Sequence, residues 1–371
     1  MTASRHTPRP EIPVDVGRPF TRAAGLATGL TDRDLNGAAY RRLLRGTYVH
    51  ADTPKGPHLW AGAALLLAPD GSFASHHTAA RLLGAPVPDS STVHLGTVSG
   101  LASAHQGLRL HRYAALPPLV ERHGIPCTDA IQTGLDLAAV LDLVDLVVFL
   151  DAILAAGAVS LEGVRRATEN ARSRGARRAR RAAALARERV ESATESRVRM
   201  LFVLAGLPEP VVNLAVHSSR TGRGYRLDLA WPDYMVAVEY DGRHHIERPE
   251  QWHADLARRE DLEGMGWRII VLTARDLFTL PAATLARVAG ALHDAGCRSA
   301  PFVMNGNVTS GGPGATRPDE RRAVKTPTLD GLFGAPSPVT RGIANIEAVT
   351  RAGRAMRRTH WVGHAEGAPP H

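Results

Sequence analysis

The stretch RGYRLDLAWPDYMVAVEYDGRHH, beginning at Arg223, constrains the fold more than any other part of the chain. Two runs of alternating apolar and polar residues meet at Pro232-Asp233, which predicts a β-hairpin. Alternation places Tyr225, Leu227, Leu229 and Trp231 on one face of the first strand, with Arg226 and Asp228 on the other. On the second strand Val236, Val238 and Tyr240 oppose Ala237, Glu239 and Asp241. Folding back around residues 232 and 233 sets Asp228 opposite Val238 and a diagonal step from Glu239. Two carboxylates that close repel each other unless a cation lies between them. Acidic oxygens and a backbone carbonyl, that of Tyr240, suit Mg²⁺, as one ion or two, better than zinc, which would ask for a thiolate or a spaced set of histidines. Any single one of these acids is more simply explained by turn capping or by pairing with Arg226, Arg243 or Arg258. The pattern D…E-x-D-G-x-x-H on adjoining strands favours the metal.

The rest of the chain supplies the setting. A length of 371 residues predicts two or three domains with cores of their own. Lys+Arg number 45 against 36 Asp+Glu, a net charge of +9 that favours a polyanionic partner. Cys127 and Cys297 have no CxxC companion, so neither a disulfide scaffold nor a zinc ribbon is expected, and a cytoplasmic location follows. The first twenty residues lack the apolar core of a signal peptide, and the apolar stretch from Leu137 to Val159 is broken by Asp142, Asp145 and Asp151. It reads as buried helix, so no membrane partner is expected.

The pattern divides the chain into six parts. Residues 1–18 form a disordered arm rich in Pro and charge. Residues 19–56 hold two short helices, the second with Thr31 and Asp34 at capping-box spacing, and a hairpin around Arg45-Gly46. That order predicts a winged helix-turn-helix whose Arg41, Arg42 and Arg45 contact DNA. Residues 57–170 alternate helical and strand-like pieces in a mixed α/β region, where His76 and His77 read as helix-start polarity with no third partner. Residues 171–190 predict a basic linker helix, on which Arg177, Arg178, Arg180 and Arg181 either face solvent or track phosphates. Residues 191–296 open with a helix carrying Glu195 and contain the hairpin after it, and residues 297–371 lose all periodicity and read as a disordered tail.

The segments ESRVRMLFVLAGLPEP, YRLDLAWP, VAVEYDGRHH and DLARREDLEGMGWRIIVLTARDL together resemble the nuclease-like domain related to very-short-patch-repair endonucleases, within the PD-(D/E)XK superfamily. The resemblance implies a restriction-endonuclease-like core, a mixed central sheet flanked by helices, with Mg²⁺ dependence and hydrolysis of DNA phosphodiesters. It places Asp228 and Glu239 as the acids of the two catalytic strands, Glu195 as the glutamate of the preceding helix, and His245 and Asp255 further on. Asp241 stands where the superfamily often carries lysine, which leaves that electrostatic task to a second metal, to His245, or to Arg258 or Arg259. Residues 20–165, through FTRAAGLATGLTDRDL, LLRGTYVHA, SHHTAARLLGAP and GIPCTDAIQTGLDLA, look like the AbiEi-type antitoxin N-terminal region of type IV toxin-antitoxin regulators.

Two functions follow as expectations. In the first, Asp228 and Glu239 with the Tyr240 carbonyl hold Mg²⁺, Glu195 orients a water or a second ion, and His245, oriented by Asp255, is a general base, a phosphate contact or simply a surface residue. Arg258 and Arg259 then either contact the DNA backbone or solvate their helix. In the second, the fold binds DNA as a regulator without cutting it. The sequence leaves open whether the chain forms a homodimer.

Overall fold

A computed structural model describes residues 17–99, 105–242, 249–298, 302–304 and 307–309, with side chains from 254 onward in the helix that begins at Pro249 and none described beyond 298. The expected arm up to residue 16, His245, and most of the expected tail lie outside the described residues.

In chain order the elements are β1 (Phe20–Thr21), α1 (Arg22–Ala27), α2 (Asp32–Leu35), β2 (Tyr40–Leu44), β3 (Thr47–His50), α3 (Pro57–Leu65), β4 (Phe73–Ala74), α4 (His76–Leu82), β5 (Val93–Thr97), β6 (Leu108–Arg112), β7 (Leu119–Arg122), β8 (Ile125–Thr128) and α5 (Ala130–Leu137). There follow α6 (Leu143–Ala155), α7 (Leu161–Asn170), α8 (Ala176–Leu185), α9 (Ala193–Leu204), β9 (Val211–His217), β10 (Gly224–Trp231), a 3-10 turn (Pro232–Tyr234), β11 (Val236–Tyr240), α10 (Pro249–Gly264), β12 (Arg268–Leu272), α11 (Ala274–Phe278), α12 (Pro281–Asp294), β13 (Phe302–Met304) and β14 (Asn307–Thr309). The class is α/β with mixed sheets. No described helix is long and apolar enough to cross a membrane.

The chain divides into two compact units, one comprising residues up to Asp142 with Ala158–Ala183, the other Leu143–Gly157 with the residues from Ala184 on. The apolar α6, which the sequence alone groups with the middle region, therefore belongs to the second unit.

The first unit opens with a small sheet in the order β1-β3-β2. Thr31 caps α2 in the expected box with Asp34, and Phe20, Leu35 and Tyr48 bury the helices against the hairpin. A second sheet, ordered β6-β5-β4-β8-β7, mixes parallel and antiparallel pairs. Its core joins Leu95 and Leu108 to Ala61 of α3 and Ala79 of α4. The basic segment is helical over only ten residues, as α8. Arg178 donates to the carbonyls of Ala138 and Leu141 at the end of α5, and Arg180 to those of Thr168 and Ala171 at the end of α7. Both guanidinium groups thus satisfy carbonyls left over where helices stop, while Arg177 and Arg181 face solvent.

The second unit is built on a four-stranded sheet in the order β12-β11-β10-β9, with β11 parallel to β12 and the other pairs antiparallel. The hairpin closes at Pro232-Asp233 as the alternation predicts, and Met235 leaves the turn in the left-handed region at φ 51°. One face carries Leu229, Trp231, Val236, Val238, Ile270 and Leu272 against α9 and α12. The other carries Leu227, Ala230 and Ala237 against Leu262 of α10 and Trp267. Gly266, at φ 89°, makes the turn that returns α10 to β12, a conformation side-chain-bearing residues rarely adopt.

Candidate acidic site

Two details of the hairpin depart from strict alternation. The register pairs Leu229, not Asp228, with Val238, so one step further along Asp228 stands across from Glu239 itself. Second, the apolar face of β10 changes sides at Asp228: Tyr225 and Leu227 pack toward α10, whereas Leu229 and Trp231 pack toward α9. The neighbouring strand switches at the same level, with Leu214 and Val216 on the α10 side and Val212 on the other. Between them lies Asn213, at φ 51°, opposite Asp228 in a ladder that pairs Leu227 with Leu214 and Leu229 with Val212. Asn tolerates this left-handed backbone better than most residues, and one such residue breaks the pleat.

Beside this break Asp228 lies within electrostatic reach of Glu195 and Glu239. Asp228 Oδ2 accepts the backbone N–H of Tyr240 at 3.1 Å. Burial pushes the Asp228 carboxyl up to about 6, the nearby negative charges of Glu195 and Glu239 add to the rise, and the Tyr240 N–H and Arg226 oppose it. Glu195 lies in the first turn of α9, where its carboxylate accepts from the Glu191 N–H at 3.1 Å, the Ser192 hydroxyl at 2.9 Å and the Asn213 amide at 3.4 Å. A carboxylate at a helix N-terminus is favourably placed by the helix dipole and the unpaired N–H groups. Glu239 is held on both oxygens by Arg258 of α10, Nη1 donating to Oε2 at 2.7 Å and Nη2 to Oε1 at 2.5 Å.

The cation beside this acid pair is therefore a guanidinium. Arg258 also donates to the Arg226 carbonyl at 2.9 Å, and its charged end lies 6.0 Å from the centre of the Tyr225 ring. The bond and charge of Glu239 raise the Arg258 guanidinium against its burial, with smaller contributions from Asp228 and from Asp255, one turn earlier on the same helix. Arg226 pairs with Glu191 through two contacts of 2.6 and 2.8 Å. Asp241 and Arg259 are exposed. Among the expected DNA contacts of the first unit, Arg41 donates to the Ala51 and Thr53 carbonyls, and Arg42 and Arg45 are exposed.

The donors around Asp228 are hard oxygens, the kind Mg²⁺ and Ca²⁺ take. One of them is not apparent from the sequence pattern: Asn213 Oδ1 is buried without a hydrogen-bond partner, its amide nitrogen being turned toward the Arg189 carbonyl and Glu195. An orphaned buried oxygen is costly and suits a cation. The clue was an Asn in the middle of the β-forming run VVNLAVH. Donor chemistry fits a divalent ion, whereas spacing fits it only in part. No group of three or more His, Cys, Asp or Glu among the described residues converges as ligands, and Arg258 already occupies one acceptor position on each oxygen of Glu239.

A different cluster lies in the first unit. His76 is 7% exposed and His94 6% exposed, and neither belongs to a solvated helix start. The His76 and His111 rings stack with centroids 3.7 Å apart, and His94 Nδ1 lies 2.9 Å from His111 Nε2. Burial drives all three below the usual imidazole range, to about 2, 4 and 3 for His76, His111 and His94, with further lowering from neighbouring imidazoles and Arg109. Asp136, which accepts from Tyr113 and Gln132, is pushed up to about 6 by burial. The partners of His76 come from β5, β6 and α5, far away in sequence, so its neighbourhood in the chain gives no sign of them.

Two uncharacterized proteins of Mycobacterium tuberculosis, one from each of two strains, are 29% identical to this chain over 227 residues, covering 57% of it and 78% of each of them. No family model matches the chain, and no solved structure matches it.

Proposed function

We propose that the second unit is a divalent-metal-dependent DNA endonuclease with a restriction-endonuclease-like core, positioned on DNA by residues 19–56 acting as a winged helix-turn-helix. The observation that carries this reading is the placing of Asp228 across from Glu239 beside the orphaned Asn213 Oδ1, with the Asp228 carboxyl raised to about 6 by burial and, to a lesser degree, by the charges of Glu195 and Glu239. A cation beside Asp228 would relieve the negative charge gathered there.

Asp228, Asn213 Oδ1, one oxygen of Glu239 and the Tyr240 carbonyl would hold Mg²⁺, one ion or two. The bound ion supplies Lewis-acid stabilisation of the phosphate oxygens and a more acidic water. The Tyr240 N–H fixes the orientation of Asp228. Glu195, anchored by Ser192 and the Glu191 N–H, sets the negative edge of the site and can accept a proton there. Arg258, with Asp255 behind it, supplies the positive charge the superfamily usually draws from lysine, since Asp241 in that position cannot. His245 remains a candidate base or phosphate contact.

A second reading rests on the same contact. Arg258 satisfies both oxygens of Glu239 without any metal, as a degenerate site retained for binding would, and the chain would then act as a DNA-binding regulator of the AbiEi-like kind. Plasmid nicking with and without Mg²⁺ separates the two. The nuclease reading expects Mg²⁺-dependent nicking that Asp228→Asn lowers by about 10³-fold with DNA affinity kept, the equivalent of several kcal/mol of transition-state stabilisation. Absence of cleavage by the unmutated protein on supercoiled, linear and single-stranded DNA, with Mg²⁺ or Mn²⁺, selects the regulator.

A further inference from the structure

Glu239 has two carboxylate oxygens, and Arg258 takes both, at 2.7 and 2.5 Å. A guanidinium fork spends one lone pair on each oxygen and sets a positive charge beside them, which opposes a divalent cation on the same carboxylate. Metal binding at Glu239 is thus disfavoured as long as Arg258 stays seated. Arg258 is nevertheless accessible: its side chain is 31% exposed, against 17% for Glu239. A guanidinium binds a phosphate diester with the same forked geometry it uses for a carboxylate, so DNA backbone is a direct competitor for it. The Arg226 carbonyl and the Tyr225 ring are held by the sheet, not by Glu239, and give Arg258 a seat it can keep after letting the carboxylate go.

Resting on the nuclease reading, we propose that Arg258 is the positioning residue through which DNA phosphate admits the divalent cation: the phosphate draws Arg258 off Glu239, the freed carboxylate joins Asp228 around the metal, and DNA and metal bind with positive coupling. Thermodynamic linkage requires the coupling to be reciprocal, so metal tightens DNA by the same factor that DNA tightens metal. Without DNA the chain keeps its metal site latched.

The test is Mn²⁺ binding followed by the electron paramagnetic resonance of the free ion, on the full chain, with and without a short phosphorothioate duplex and with the duplex alone subtracted. Wild type is expected to bind Mn²⁺ more tightly with duplex by a factor of about 5 to 150. Arg258→Gln is expected to bind Mn²⁺ without DNA about as tightly as wild type does with it, and to gain little from duplex. Arg258→Lys, which keeps the charge but loses the fork, falls between. Equal Mn²⁺ affinity of wild type with and without duplex overturns the latch, as does an Arg258→Gln affinity unchanged from wild type. If Asp228→Asn still abolishes Mn²⁺ binding in that case, the nuclease reading survives the loss of the latch. No Mn²⁺ binding by any of these proteins, with or without duplex, overturns both. Thermal melting verifies that Arg258→Gln folds; should it not, the duplex dependence of wild type and of Arg258→Lys decides.

Discussion

Each unit gathers a cluster of titratable groups, mainly imidazoles in the first and half-buried carboxylates in the second, and the two clusters bear their burial differently. His76, His94 and His111 are driven down to about 2, 3 and 4, which keeps them in the form an imidazole already prefers above its ordinary 6.5. Near neutral pH the stack is uncharged and needs no ligand. Asp228 is pushed up to about 6 from 3.8, so at the same pH it is ionised against its surroundings. One cluster is content at neutral pH and the other is not, which is why the second carries the functional proposal although the first has more candidate ligands.

Asp151 shows a third outcome, a buried carboxylate that burial still raises but whose charge a guanidinium and two further donors oppose within the protein. It is 1% exposed, and it accepts from Arg199 at 2.9 Å, Ser196 at 2.7 Å and the Arg187 N–H at 2.7 Å. Removing Arg199, which is 0% exposed, would turn Asp151 into a stranded charge like Asp228 but deeper. Arg199→Met is expected to cost about 3–5 kcal/mol of second-unit stability, read by denaturant melts with hydrogen exchange on α6 and α9. The loss should shrink when Asp151→Asn is added. A double variant no more stable than the single would mean that Arg199 acts through packing alone, and the contrast between settled and unsettled acids would fail.

Acid should affect the two units in opposite directions. The three histidines have folded values below their unfolded 6.5, so the unfolded chain binds more protons as pH falls below 6.5; their contribution is complete above that point and is lost toward about pH 4. Asp136, raised to about 6, works the other way, a single proton against three. The net expectation is a loss of roughly 2–3 kcal/mol in the first unit between about pH 6.5 and 5, below the fully buried limit because solvent reaches part of the cluster. Asp228 gains stability over the same interval. Hydrogen exchange, corrected for intrinsic rates, should show protection falling in β5, β6 and α4 while β10 and β11 hold. Parallel losses in both units would break the comparison.

How much of this could be read from the sequence depends on the range of the interaction. The hairpin, its turn at Pro232-Asp233, the Thr31 capping box and the placing of acids near one another follow from local alternation and capping chemistry, which act within a few residues. The one-residue difference in register and the change of face at Asp228 do not, because they depend on a left-handed Asn213 in a strand that the hairpin pattern does not include. Arg258 was already a candidate partner for these acids, yet nothing in its spacing shows that it would take both oxygens of Glu239 from 19 residues away. The histidine stack needs two strands and a helix to be assembled, and α6 finds its unit through pairs distant in sequence, Asp151 with Arg199 and Asp145 with Arg197.

The smallest expected effect is the sharpest test of the comparison, since it separates stability from function at one atom. Asp228→Asn keeps an oxygen to accept the Tyr240 N–H and removes the charge that Glu195 and Glu239 oppose. An acid whose folded value is raised binds its proton more tightly in the folded chain, so it destabilises above about pH 6 and ceases to do so once the pH falls below the unfolded 3.8. The metal-free variant should therefore be more stable than wild type at neutral pH by about 1–2 kcal/mol, with the advantage fading toward pH 4. Saturating Mg²⁺ should close the gap from the other side, by stabilising wild type and not the variant. A substitution that stabilises the fold while abolishing its chemistry is expected where a site holds unfavourable charge for the sake of a ligand. If Asp228→Asn instead melts below wild type at neutral pH, the carboxylate is serving the fold, and the acids of the second unit are as self-sufficient as the imidazoles of the first.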